Sequence, residues 1–253
     1  MSRHAFLDHP GPIPFAHRGG AWESPENSVQ AFDDAVRLGF RYLETDVHLT
    51  ADGVLVAFHD DVLDRVTDRV GRLEELPWSE VRQARIEGTG EIPTLEHLLM
   101  RWPDTRINID PKTDRSVEPL IEMIRLTGSA ERVCVGSFSD RRIERIATAL
   151  AGRVCVGMGP RATARLWARG FGVPSGTIVG DCAQVPMSYK GIRVVTDRFV
   201  IEARRRGIPV HVWTIDDAEQ MGRLLDLGVN GIMTDRPRVL RAVLEERGLW
   251  HEP

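Results

Sequence analysis

Three short segments near the start of the chain concentrate side chains able to do chemistry: His17-Arg18-Gly19-Gly20, Glu44-Thr45-Asp46-Val47-His48 and His59-Asp60. Two histidines, two alternating carboxylates and an arginine make a poor core. Together they suit a hydrolase that holds a divalent cation and a phosphate. Glu44, Asp46 and His48 fall at every second position, so on a strand they share one face. Carboxylates that converge inside a closed sheet are costly unless a cation neutralises them. Carboxylate oxygens suit Mg2+ or Ca2+. The competing reading is an edge strand with a solvated polar face, and the neighbouring histidines weigh against it.

The glycines after Arg18 allow a tight turn and close approach of a ligand. Arg18 can grip a phosphate with both arms of its fork. Paired histidines suit phosphodiester cleavage: one, His17 or His59, removes a proton from the attacking oxygen, and the other protonates the departing alkoxide. The sequence leaves open which does which. Asn108, Asp110 and Lys112 share another alternating face. There Asp110 can serve as a third metal ligand, and Lys112 can pair with phosphate or with a carboxylate; the plainer reading is a surface ion pair. Trp213 ends another predicted strand, where it either packs against an alcohol's carbon skeleton or closes the core. Asp235 followed by Pro237 reads as a helix start, with the Asp as cap and the Pro in the first turn. Arg204-Arg205-Arg206 reads as a solvated helix end.

A frame must position these groups. Short apolar runs predict strands at Ile13–His17, Tyr42–Val47, Arg106–Asp110, Arg132–Gly136, Arg153–Gly157, Cys182–Pro186, Pro209–Trp213 and Gly231–Thr234. Helical patterns lie between them. Val29, Phe32 and Val36 form one apolar face, and Leu224, Leu225 and Leu227 belong to another that ends at Gly228. Eight such units predict an α/β fold, a TIM (β/α)8 barrel, as one domain over residues 1–253. The pattern is weakest over Gly170–Gly191. Asp52-Gly53 before the apolar run Val54–Phe58 predicts a short insertion after the second strand. It is a hairpin-like excursion that returns His59 to the barrel mouth, followed by a long loop with a short helix near Trp78–Ala84.

A chain of 253 residues with 42% hydrophobic and 28% charged residues needs no disulfide for a stable core. A net charge of -4 offers no broad basic surface and argues against non-specific nucleic-acid binding. Cys134, Cys155 and Cys182 each fall in an apolar segment and read as buried small hydrophobes, too widely spaced for a local zinc motif. No apolar leader follows Met1-Ser2-Arg3-His4, and no run of about 18 apolar residues predicts a transmembrane segment. A cytoplasmic location is the expectation. Oligomeric state is not legible.

The sequence resembles the glycerophosphodiester phosphodiesterase family. The matching segments are His17-Arg18-Gly19-Gly20, Pro25-Glu26-Asn27-Ser28, Glu44-Thr45-Asp46-Val47, Asp52-Gly53 leading to Phe58-His59-Asp60, Ile92-Pro93-Thr94-Leu95, Val212-Trp213-Thr214 and Gly231-Ile232-Met233-Thr234-Asp235. They run in the family's order across almost the whole chain. The resemblance implies a TIM barrel with its site at the C-terminal mouth and hydrolysis of a small-molecule glycerophosphodiester substrate to glycerol 3-phosphate and an alcohol. It also implies a divalent cation (Mg2+ or Ca2+) on Glu44 and Asp46, with His17 and His59 as acid and base. Asp110 stands where the family commonly has Glu, one methylene longer, and Asn230 stands where it often has Asp. Two readings compete. A phospholipase-D-like hydrolase of lysolipids or sphingomyelin would need an apolar mouth, which the charged loop from His59 to Gly90 does not offer. A non-catalytic binding protein is disfavoured by the paired histidines.

Overall fold

The computed structural model describes residues 4–251; of the segment read for a leader, Met1, Ser2 and Arg3 lie outside these residues. Eight parallel strands make the frame: β1 (Ile13–His17), β2 (Tyr42–Leu49), β3 (Arg106–Pro111), β4 (Val133–Val135), β5 (Cys155–Val156), β6 (Ala183–Pro186), β7 (Val210–Trp213) and β8 (Gly231–Thr234). Neighbours in sequence pair in space from β1 to β5 and from β6 to β8, and β8 pairs with β1. Between β5 and β6 the ladder narrows to one parallel bridge, Gly157 to Cys182. There Met158 N–H donates to Cys182 O, and Asp181 N–H to Val156 O, each at 2.8 Å. These bonds close the sheet into a (β/α)8 barrel.

All eight strands expected from sequence are present. β4 and β5 are shorter than their apolar runs, although the Gly136 and Gly157 N–H groups still reach the preceding strand. Glycine there makes room for a neighbour. A Cβ at Gly136 would lie 2.9 Å from Gln184 Oε1, and one at Gly157 3.1 Å from it.

Eight helices cover the barrel: α1 (Val29–Arg37), α2 (Leu95–Arg101), α3 (Val117–Leu126), α4 (Asp140–Ala149), α5 (Pro160–Gly170), α6 (Asp197–Arg205), α7 (Ala218–Leu227) and α8 (Pro237–Glu246). Side chains of Ser28, Thr94, Ser139, Thr196 and Asp217 cap five of them by accepting a backbone N–H. α7 ends at Gly228 in the left-handed conformation, as the pattern predicts. α8 corrects an expectation: its cap position is Arg236, Pro237 opens the first turn, and no side chain caps it. The Asp235 carboxylate is engaged elsewhere.

Strand alternation divides the core. Ala16, Leu43, Ile107, Ile109 and Val135 pack with the helices, whereas Phe15, Tyr42, Cys134, Cys155, Cys182 and Met233 form a separate cluster inside the barrel. The three cysteines are buried and unbridged. Phe6, in the turn Ala5–Leu7, joins the interior cluster and its carbonyl accepts from Tyr42 Oη at 2.8 Å. Burying each such aromatic stabilises the fold by about 1.5–3 kcal/mol.

After β2 the chain turns through Gly53, and Leu55–Ala57 returns antiparallel to β2, with Ala57 beside Val47. This is the expected excursion, and its short helix spans Trp78–Val81. It has a core of its own, formed by Val56, Phe58, Leu63, Leu73, Val81 and Ile86. Among the described residues no helix is long and apolar enough to cross a membrane.

Candidate active site

The C-terminal ends of the strands surround one cavity of about 400 Å3. All eight residues singled out from the sequence line it: His17, Arg18, Glu44, Asp46, His59, Asp110, Lys112 and Trp213. They come from β1, β2, β3, β7 and the excursion. Parallel register sets their heights: Asp46 lies level with Asp110, and Glu44 with Asn108.

The turn after β1 is tightly built. Arg18, Gly19 and Gly20 all have positive φ. A Cβ on Gly19 would lie 2.7–2.9 Å from Ala31 and the Phe32 nitrogen at the start of α1, so only glycine fits. The turn aims the Arg18 N–H at Glu44 Oε2, 3.2 Å away. Arg18 Nη1 donates to Glu26 Oε1 at 3.2 Å. Arg18 Nε is buried without a hydrogen bond, although Asp46 Oδ2 lies 3.2 Å away. That orphaned donor can take a phosphoryl oxygen.

Each histidine is held through its Nδ1. His17 Nδ1–H donates to Asp235 Oδ1 at 2.6 Å, and His59 Nδ1–H to Asp60 Oδ1 at 2.6 Å. A carboxylate only accepts, so both rings carry their proton on Nδ1 and leave Nε2 for chemistry. His17 Nε2 stands 3.7 Å from Glu44 Oε2. Burial works against its charged form, yet Glu44 and then Asp235 outweigh it and raise the proton affinity of His17. Asp60 is anchored in turn by Arg65 Nε at 2.6 Å, and Arg65 also grips Glu26. Against a desolvation cost, Arg65 and His59 hold the Asp60 carboxyl down to about 2.

The acidic side of the cavity is crowded. Burial first, and then the Asp46 charge alongside, push Glu44 up to about 7. Asp46 is also buried, but Lys112 and Arg18 hold its carboxyl below the usual range. Lys112 Nζ lies 2.6 Å from Asp46 Oδ1 and 3.0 Å from Asp110 Oδ2. It pairs with two carboxylates rather than with solvent. Burial raises Asp110 above its ordinary value. The oxygens of Glu44, Asp46 and Asp110 do not all gather within 4.8 Å of one another.

The donor set nevertheless suits a hard divalent cation. Burial, and then the neighbouring Asp46 charge, oppose the charged form of Glu44, which is the imbalance an added cation offsets. Contact with all three carboxylates requires Lys112 to release Asp110 or Asp46.

Sequence reasoning passed over the residues that hold this set in place. The local pattern at Asp235 reads as a helix cap, and the structure gives that carboxylate to His17 instead. His48 shares the acidic face without an assigned task in the sequence; its Nε2–H donates to the His59 carbonyl at 3.0 Å. Asn27, buried and at φ 56°, donates to Asp46 Oδ2 at 3.3 Å and accepts from Thr45 Oγ1 at 2.7 Å. Glu26 and Asn27 lie within a segment of the family pattern, and that is their only signal; Asp60 stands in the His59-Asp60 segment without an assigned task.

The opposite wall is apolar. Phe138, Met158, Trp167, Tyr189, Ile192 and Trp213 line it. Phe138 meets Trp213 edge-on with ring centroids 5.8 Å apart, and Tyr189 at 6.4 Å. Trp213 serves the cavity as well as the interior cluster.

The model of the Glycerophosphoryl diester phosphodiesterase family matches residues 17–239. The chain belongs to this family. Family membership makes it a phosphoric diester hydrolase. A Mycobacterium tuberculosis protein named "Probable glycerophosphodiester phosphodiesterase 2" is 42% identical over 252 residues, covering 97% of this chain and 95% of the relative. A solved Silicibacter pomeroyi protein named "Putative glycerophosphoryl diester phosphodiesterase" superposes with a TM-score of 0.80 at 21% identity, over 97% of this chain and 99% of that one. An Oleispira antarctica phosphodiesterase, solved with the product sn-glycerol-3-phosphate, superposes with a TM-score of 0.77 at 21% identity, over 93% of this chain and 97% of that one. At such identities the superpositions speak for the fold.

Proposed function

We propose that this phosphodiesterase cleaves glycerophosphodiesters to sn-glycerol 3-phosphate and an alcohol. His17 serves as general acid and His59 as general base. The observation that carries this reading is the pairing of two histidines on one cavity, each with Nδ1 bonded to a carboxylate. A ring held that way presents Nε2 to a proton and stabilises the charge it gains. His17 has Glu44 and Asp235 beside it, which raise its hold on a proton, so it protonates the leaving alkoxide. His59 has Asp60 behind it and takes the proton of the attacking oxygen. Arg18 offers Nε and its turn of backbone to the phosphoryl oxygens, and Lys112 adds positive charge next to them.

Glu44 and Asp46, with Asp110 on the adjoining strand, would hold a divalent cation, Mg2+ or Ca2+. When bound, it supplies Lewis-acid stabilisation of phosphoryl charge. We read residues 1–253 as one such domain, and the three unbridged thiols fit a reducing, cytoplasmic setting. The purified chain, given glycerophosphocholine and glycerophosphoethanolamine with each divalent cation in turn, should release sn-glycerol 3-phosphate. Absence of cleavage with every cation overturns the reading.

The apolar wall favours a second substrate class. The mouth absent from the His59–Gly90 loop is instead built by Phe138, Trp167, Tyr189, Ile192 and Trp213. A lysolipid could lay carbon chain there. Comparing kcat/KM for lysophosphatidylcholine and glycerophosphocholine decides between them.

A further inference from the structure

Beneath the catalytic floor the barrel brings together three thiols that the sequence keeps far apart. Cys134 and Cys155 are register partners on β4 and β5. Cys182 reaches them across the closure, where it bridges Gly157. All three are buried, and their sulfurs lie within 4.8 Å of one another. The Cys134 and Cys182 sulfurs are 4.0 Å apart.

A further donor stands beside the cluster, although its ring nitrogens do not gather with all three sulfurs within 4.8 Å. His211 on β7 is fully buried, and neither of its ring nitrogens has a hydrogen-bond partner. On β7 it lies level with Gln184 of β6, two residues on from Cys182, and Phe15 packs on its ring with centroids 5.0 Å apart. A buried imidazole with both nitrogens unmet is a costly thing to keep unless something binds it. Phe6, Phe15, Tyr42 and Met233 share this interior, so water has little to hold on to there.

We propose that Cys134, Cys155, Cys182 and His211 form a buried tetrahedral site for a thiophilic divalent cation of the Zn2+ class, set into the barrel interior below the catalytic cavity. Sulfur at about 2.3 Å from such an ion places the sulfurs about 3.8 Å apart. The observed 4.0 Å contact is near this; the other sulfur pairs need to close by at most about an ångström, and the His211 ring must move towards them. Three thiols lose their protons to solvent as the ion enters, and neutral His211 completes the set. Gln184 separates the two centres, with Nε2 2.8 Å from Asn108 Oδ1 on the catalytic side and 3.8 Å from Cys134 Sγ below. Oxygen donors above select a hard cation and sulfur donors below a soft one, so the two sites sort ions by chemistry.

The site is enclosed, so loading accompanies folding. The full chain is refolded from urea with Co2+ or Zn2+ and passed over a chelating resin. We expect one ion per chain by native mass spectrometry and, for Co2+, a thiolate-to-metal charge-transfer band that carboxylate ligands do not give. Cys155→Ser should lose both the ion and the band. His211→Phe leaves all three sulfurs, so the band should weaken and the ion should exchange more readily. Wild-type chain that regains its circular dichroism spectrum yet weighs as the bare polypeptide, without the band, overturns the proposal; so does a band unchanged in either variant.

Discussion

Asp235 Oδ1 stands 2.6 Å from His17 Nδ1, across 218 positions of sequence. The first and last strands of the barrel pair side by side, so the end of the sheet supplies the partner of its beginning. Asp235→Asn keeps the shape and removes the charge. His17 holds its proton above the ordinary 6.5 because Glu44 and Asp235 outweigh its burial. With Asp235 neutral, the alkaline limb of the kcat profile should move to lower pH, and kcat should fall about tenfold or more. A pH–rate profile measures this; an unmoved limb would mean that Asp235 does not tune the acid.

Alanine at either histidine removes a proton carrier without touching the core. His17→Ala and His59→Ala should each lower kcat by about two orders of magnitude or more, with far-UV circular dichroism unchanged. Steady-state kinetics of both, together with the double variant, test whether they act as a pair. A double variant no worse than either single one is the expected signature of one concerted unit.

Glu44 sits where burial and Asp46 together resist ionisation. Glu44→Gln removes one charged ligand, so the concentration of divalent cation needed for half-maximal rate should rise about tenfold or more. Chelation of the wild type should abolish turnover, and returning the cation should restore it. Full activity of wild type after thorough chelation contradicts the cation reading.

Gly19 turns the chain at φ +81°, and any Cβ there meets the backbone of α1. Gly19→Ala should cost about 2 kcal/mol or more, through the left-handed backbone and the clash together. Urea titration should show a lower midpoint at an unchanged slope.

The apolar wall should matter only for substrates that reach it. Phe138→Ala removes a ring that packs on Trp213 and Tyr189. It should reduce kcat/KM for a lysolipid by about tenfold and leave glycerophosphoethanolamine nearly unaffected. Equal loss on both substrates would place Phe138 in the frame of the site rather than in substrate choice.

Legibility followed the range of the interactions. Period-two alternation put Glu44, Asp46 and His48 on one face, and all three are buried on the inner face of β2. Asp52-Gly53 announced the return of His59, because a tight turn needs a residue that accepts positive φ. Strand ends were harder. β5 is two residues long because its neighbour β6 meets it through little more than one bridge. At Asp235 the local pattern misleads, because Asp two residues before Pro is a sound local sign of a helix start, and no local sign tells a cap from a partner in another strand.

The sequence by itself determined the barrel, the residues at its mouth and the family, since periodicity, turn residues and motif order are properties of the chain read in line. Closure of the sheet decided the rest. It brought Asp235 to His17, set Lys112 between Asp46 and Asp110, raised an apolar wall from loops, a helix and the end of β7, and gathered three distant thiols. Such contacts depend on distance through space, and distance through space is defined only once the strands have met.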